Sequence, residues 1–221
     1  MVEKKMSSDK GFIILIVSIA AIIFVVIGSG YIYKKYFSPK PQTIEEMLIN
    51  NYKKAETEDN YIYNGFSFIR IHGTWYTQVQ RGNTIYNLML NFGPREVENI
   101  SITGNPDIDF LRKGYVYLTF DPYVEQVNMP WMAIANSDIA VTLIKVFNIT
   151  TDGACTRSHP DCEKKGARII DCNSTEPVIF LNVSNETKIE WHGSCLVING
   201  REREIDRAAT RFLYKLFNII N

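Results

Sequence analysis

The chain has 221 residues, with 24 Lys plus Arg against 24 Asp plus Glu, so its formal net charge is zero. That balance offers no basic surplus to hold nucleic acid and no acidic tail to act as a solvated spacer. With 12 Tyr and 12 Phe the chain is too aromatic for a disordered stalk and is suited to β-rich packing.

From Gly11 to Tyr33 there is no formal charge over 23 residues. As a helix this run is roughly 34 Å long, enough to cross the ~30 Å hydrocarbon core of a bilayer. Residues 1–10 are expected to be a cytoplasmic tail and 11–33 a transmembrane signal anchor. A cleaved signal would have a shorter apolar core of about 7–15 residues, and here Tyr31, Tyr33, Tyr36 and Phe37 extend past Gly28-Ser29-Gly30 to the headgroup level. Lys10-Gly11-Phe12 resembles the processing site of archaeal type IV pilin precursors, but no glutamate follows near the start of the helix. Lys4, Lys5 and Lys10 balance Lys34, Lys35 and Lys40, so the flanking charges do not set orientation.

Residues 34–60 read as a spacer and a juxtamembrane helix. Ser38-Pro39-Lys40-Pro41 is stiff, Thr43 and Glu46 form a capping-box pattern, and a helix is expected from about 44 to 55. An extracytoplasmic α+β domain is expected over 61–221. The period then becomes alternating: Tyr61–Tyr63 and Phe66–Ile69 flank Asn64-Gly65, a strong hairpin signal. Trp75–Val79 and Thr84–Leu90 continue an antiparallel meander that Gly93-Pro94 closes. Another strand, Tyr115–Phe120, stops at Asp121-Pro122.

In the second half Asn136-Ser137-Asp138 is expected to cap a helix with Ile139, Ala140, Leu143, Ile144 and Phe147 on its apolar face. Short strands are expected at 168–171, 178–181, 188–191 and 195–198. A final helix follows Asn199-Gly200, with Ile205, Ala208, Phe212, Leu216 and Ile219 in one stripe. A meander followed by mixed strands and helices defines an α+β class.

Four cysteines, Cys155, Cys162, Cys172 and Cys195, lie close together without a Cys-x-x-Cys pair. Two structural disulfides, Cys155–Cys162 and Cys172–Cys195, are expected from this spacing; a mixed zinc site with His159 and His192 is the alternative. Five Asn-x-Ser/Thr sequons, at Asn99, Asn148, Asn173, Asn182 and Asn185, are glycosylation candidates, against roughly two by chance. Cysteines and sequons together favour an oxidising, extracytoplasmic side.

No catalytic motif is present. His72, His159 and His192 read as loop histidines. Asp107, Asp109, Asp121, Glu125, Asp138, Asp161 and Asp171 read as turn and helix-start residues, and Gly193-Ser194-Cys195 lacks the second glycine of a nucleophile elbow. No P-loop, dinucleotide fingerprint or zinc-protease motif occurs, and no cofactor is implied. Trp75, Trp131 and Trp191 are candidate binding aromatics for a sugar or peptide groove if they are exposed.

Gly73-Thr74-Trp75-Tyr76-Thr77-Gln78, Tyr86-Asn87, Gly93-Pro94-Arg95-Glu96 and the tail from Cys195 to Tyr214 resemble uncharacterised single-pass membrane proteins of small-genome archaea. The resemblance spans most of the segment after the anchor, and implies a cell-surface setting and a shared α+β fold. It carries no catalytic residues. The expectation is a membrane-anchored interaction or envelope protein whose partners are the membrane and a protein or glycan at the cell surface. A tethered hydrolase and a pilin-like subunit are the alternatives.

Overall fold

The computed structural model describes residues 3–36, 42–105, 110 and 112–220, and the chain divides into two units between Thr43 and Ile44. The spacer Ser38–Pro41, Phe37, and the carboxylates Asp107 and Asp109 lie outside the described residues.

The first unit is one helix, α1 (Glu3–Tyr36). Its Ile13–Tyr33 span is long and apolar enough to cross a membrane, and none of that span is buried against protein.

The second unit begins at Ile44, not at Tyr61. Helix α2 (Ile44–Asn51) belongs to it because Leu48 is buried and Asn51 is turned into the neighbouring sheet. Asn51 Nδ2 donates to Tyr61 O, Ser67 Oγ and Phe68 O at 3.0–3.2 Å, which ends the helix earlier than its pattern suggested. The meander forms as expected: β1 (Asn60–Tyr63), β2 (Phe66–Ile71), β3 (Thr74–Arg81) and β4 (Thr84–Leu90) pair antiparallel in sequence order. Asn64 and Gly65 both have positive φ, 47° and 85°, as a tight hairpin turn requires.

A short helix, α3 (Pro94–Val97), leads to the second sheet. Its strands are β5 (Ile102–Thr103), β6 (Tyr115–Phe120), β7 (Thr150–Cys155), β8 (Arg168–Ile169), β9 (Val178–Val183), β10 (Lys188–His192) and β11 (Cys195–Gly200). Their spatial order is β5-β10-β11-β9-β6-β7-β8. Only β10 and β11 pair antiparallel; the other five pairings are parallel. Parallel neighbours need crossover connections. Helix α4 (Met129–Phe147) carries the chain from β6 to β7, and α5 (Pro160–Lys164) carries it from β7 to β8.

Besides α2, several elements differ from the sequence expectation: α3, α5 and β5 were not expected, β8 stops at Ile169, and α4 and β7 depart more deeply. Asn136-Ser137-Asp138 does not cap α4, which begins at Met129 with Pro130 in its first turn. Proline is favoured there, and burial of Met132 and Ala135 carries the helix through the polar triplet. Strand β7 was not expected, since Asp152-Gly153 reads as a turn; its register with β6 runs from Tyr115–Thr150 to Phe120–Cys155.

Three layers result. The inner meander residues Phe68, Trp75, Val79 and Leu88 share one core with α4 and α6 (Arg203–Leu216), and the same core includes Leu118, Ile179, Leu196 and Ile198 of the mixed sheet. Helix α6 is therefore buried on both sides. Tyr214 meets Phe68 of the meander edge-on at 5.7 Å, and Phe212 meets Trp191 of the mixed sheet at 6.4 Å. The far face of the mixed sheet has a smaller core of Tyr117, Ala154, Ile170, Val178 and Cys195, roofed by the segment after β8.

Candidate functional site

Two disulfides brace the mixed sheet, and the second of them lies in this far-face core. Cys155 is bonded to Cys162 with Cα atoms 6.5 Å apart, and Cys172 to Cys195 at 5.2 Å, the pairing expected from spacing. The first ties the end of β7 to α5. The second fixes the segment after β8 to the start of β11.

A groove of about 730 Å³ opens next to the first disulfide. Phe120, Pro122 and Met129 form one wall and the α5 segment the other, with Gly153 between. A Cβ placed on Gly153 would meet nothing within 4 Å, so the groove is open there. Asp161, Lys164, Lys165 and Arg168 bring charge to its lining, with His159 beside them. The geometry of those side chains is structural. His159 Nδ1 accepts from Asp161 N at 3.2 Å and so caps α5, Ser158 Oγ donates to Glu163, and Arg168 Nη1 donates to Tyr117 Oη at 2.6 Å.

The loops after β6 and β7 are clasped together. Arg157 Nε donates to Asp121 Oδ1 at 2.9 Å while Nη2 reaches Oδ2, and the guanidinium lies 4.7 Å from the Tyr123 ring centroid. Burial would raise the Asp121 carboxyl, but hydrogen bonds from Arg157 and Tyr123 N outweigh it and hold the group below the ordinary carboxylate range. In a mainly parallel sheet the crevice to search is where strand order reverses, here between β6 and β9. Near there Arg201 Nη2 bonds Glu125 Oε2 at 2.6 Å and Arg201 Nη1 bonds Asn185 Oδ1 at 3.2 Å.

The other sequence candidates are dispersed. His72 occupies the β2–β3 turn with φ 50°, and His192 is exposed at the β10–β11 turn. Asp171 caps its own turn through Asn173 N at 2.9 Å. Trp75 is a core residue, 3% exposed, because strand alternation points it inward, where its Nε1 donates to Glu96 Oε2 at 2.7 Å. Trp131 and Trp191 are half-buried against the same core, so the three tryptophans form no exposed platform. Asn99, Asn148, Asn173 and Asn185 are exposed, whereas Asn182 is half-buried mid-strand with Nδ2 bonded to Asn199 Oδ1 at 2.7 Å. Among the described residues no group of three or more His, Cys, Asp or Glu is placed to hold a metal ion.

Sequence reasoning missed two features. One is a carboxylate pair between α4 and α6. Burial, then the charge of Asp206, raises Asp138 to about 7; burial raises Asp206 to about 6 against an opposing Asn91 hydrogen bond and the Arg203 charge. Asp206 lies next to the apolar stripe of α6, but an acid in a first helical turn reads as a dipole partner.

The other is the outer face of the meander. Helix α2 covers part of it through Ser67 Oγ, which donates to Leu48 O at 2.9 Å. Beyond α2 the face is open: half-exposed Tyr76 pairs with Met89, and Met89 and Ile85 are 60% and 62% exposed. Gln78 Nε2 bonds Asn87 Oδ1 at 2.9 Å beside them. The available signal was a break in alternation: in Thr84–Leu90 the outward Ile85 and Met89 are apolar as well as the inward Tyr86, Leu88 and Leu90.

No protein-family model matches the chain, and no curated protein or solved structure is significantly similar to it. What the fold defines is an α+β domain with two disulfides, following an apolar N-terminal helix.

Proposed function

We propose that this is a single-pass, membrane-anchored protein of the cell envelope. Its N-terminus is cytoplasmic, and its disulfide-bonded domain acts outside the cytoplasm by surface contact. The observation that carries the reading is an uncovered apolar helix, Ile13–Tyr33, followed by a domain with two disulfides and no free cysteine among the described residues. Disulfides persist in oxidising compartments. The open apolar half of the meander face supports contact with a macromolecule as the mode of action. Asn99, Asn148, Asn173 and Asn185, all outside the buried core, are the proposed glycan acceptors.

The test is labelling of intact cells with a membrane-impermeant amine reagent, followed by peptide mapping. Exposed Lys164 and Lys165 should be modified while Lys4 and Lys5 are protected, in protein that still begins before Gly11. Labelling confined to lysed cells, or a mature start near Tyr31, would reject the anchored topology. A hydrolase reading has one favouring observation, the groove that brings His159 and Asp161 together. Loss of a measured hydrolytic activity in His159→Gln would revive it.

A further inference from the structure

The two sheets present four edges, and they are finished differently. β5 and β8 are two residues long, too short to template another strand. β1 is sealed by its own upstream turn: Ile62 N donates to Glu56 Oε1 at 3.3 Å, Asn60 N to Thr57 Oγ1 at 3.1 Å, and Thr57 N to Asn60 O at 2.7 Å. β4 has none of these devices. It runs seven residues, Thr-Ile-Tyr-Asn-Leu-Met-Leu, with no charge and no proline. Among the described residues its backbone hydrogen-bonds only to β3.

We propose that β4 pairs antiparallel with β4 of a second copy of this chain, joining two meanders into one eight-stranded sheet about a two-fold axis at Asn87. This rests on reading the meander face as an interaction surface. The occupant follows from the strand itself. Side chains opposite each other in an antiparallel pair point to the same face, so outward residues 85, 87 and 89 must meet their own kind. Centring the pair on Asn87 sets Ile85 against Met89 of the other copy twice, Asn87 against Asn87, and Tyr86 against Leu88. Every exposed apolar side chain gains an apolar partner and no like charges meet. Centring one residue either way sets Ile85 or Met89 against Asn87 instead. The interface is self-complementary, as a two-fold contact must be. Tethering both copies in one membrane raises their effective concentration.

The experiment uses the full chain in lipid nanodiscs and in detergent. Asn87→Cys should crosslink to a dimer on mild oxidation far more than Ile49→Cys, an exposed control on α2. Ile85→Lys should weaken association by about tenfold or more, two cross-strand pairs being lost. Adding Met89→Glu to Ile85→Lys should restore the dimer, because each introduced lysine then faces the introduced glutamate of the other copy; a general surface defect would not be rescued. Monomeric mass at every concentration with no preferential crosslink at residue 87 overturns the pairing, as does a dimer indifferent to Ile85→Lys. A monomer labelled from outside the cell rejects the self-pairing alone; a dimer labelled only after lysis rejects the topology alone.

Discussion

Asn91 donates through Nδ2 to Asp206 Oδ2 at 2.9 Å, and the second oxygen of the same carboxylate, Oδ1, is buried with no partner among the described residues. Asp206 is 1% exposed, so this oxygen is shielded from bulk solvent. Thr210 Oγ1, one turn along α6, is likewise unpartnered. The Asp138 carboxylate on α4 adds like charge to the same interface. Burial is the main reason both groups hold their protons to higher pH than free aspartate, and the Asp206 charge adds to it at Asp138.

Linkage turns this into a pH dependence. Both carboxyls have folded values above the ordinary 3.8, Asp138 near 7 and Asp206 near 6. The folded chain therefore binds more protons than the unfolded one between about pH 4 and 7, so this contribution to stability is present at low pH and lost as pH rises through that window. Urea midpoints of the 44–221 domain should show a component that falls from pH 5 to pH 8. Asp206→Asn keeps an oxygen for Asn91 and removes the charge, so it should flatten that component and stabilise the domain at pH 8 by on the order of 2–3 kcal/mol. An unchanged pH profile in the variant would contradict the assignment.

Gly93 is needed for space. A Cβ at this position would collide with Tyr61 Oη and sit 2.8 Å from Trp75 Cε2, both in buried rings. Gly93 N also donates to Glu96 Oε2, the atom that accepts from Trp75. Gly93→Ala should cost about 1–3 kcal/mol by overpacking, read as a lower urea midpoint.

Phe212 tests the central helix. It is 1% exposed between two sheets, so Phe212→Ala should destabilise the domain by about 3–5 kcal/mol. A variant melting within a degree or two of the parent would place α6 outside the core.

The disulfides should be recovered by non-reducing peptide mapping as Cys155–Cys162 and Cys172–Cys195. Loop-closure entropy predicts about 2–3 kcal/mol for the first and about 3–4 for the second. Replacing Cys172 and Cys195 by Ser should therefore cost more than replacing Cys155 and Cys162. The opposite ranking would show that local packing outweighs loop length.

Local signals were enough for the meander, where Asn64-Gly65 and the other glycine turns set the hairpins between β-rich runs. The helical stripe of α6 was legible for the same reason. Most strands of the mixed sheet were legible too, but their pairing was not, because parallel pairing joins residues such as Tyr115 and Thr150 that share no local pattern. Strand β7 contains Asp152-Gly153 and is held by its neighbour β6, so tertiary pairing overrides turn propensity. Trp75 could be placed on a strand but not on a face until the inner side was known. The Asp138–Asp206 pair was hidden by the misplaced start of α4, which made Asp138 a cap when it lies inside the helix.

The bond from Tyr214 Oη to Phe92 O, 2.6 Å long, joins residues 122 positions apart. During synthesis the meander is complete long before α6 exists, and at about 5–20 residues per second the delay is several seconds or more. Phe68, Trp75 and Val79 face solvent for that time, on a sheet whose β4 edge is also unprotected. A chain that emerges from its Ile44 end first carries that open face and edge together until its last helix arrives to cover the core side.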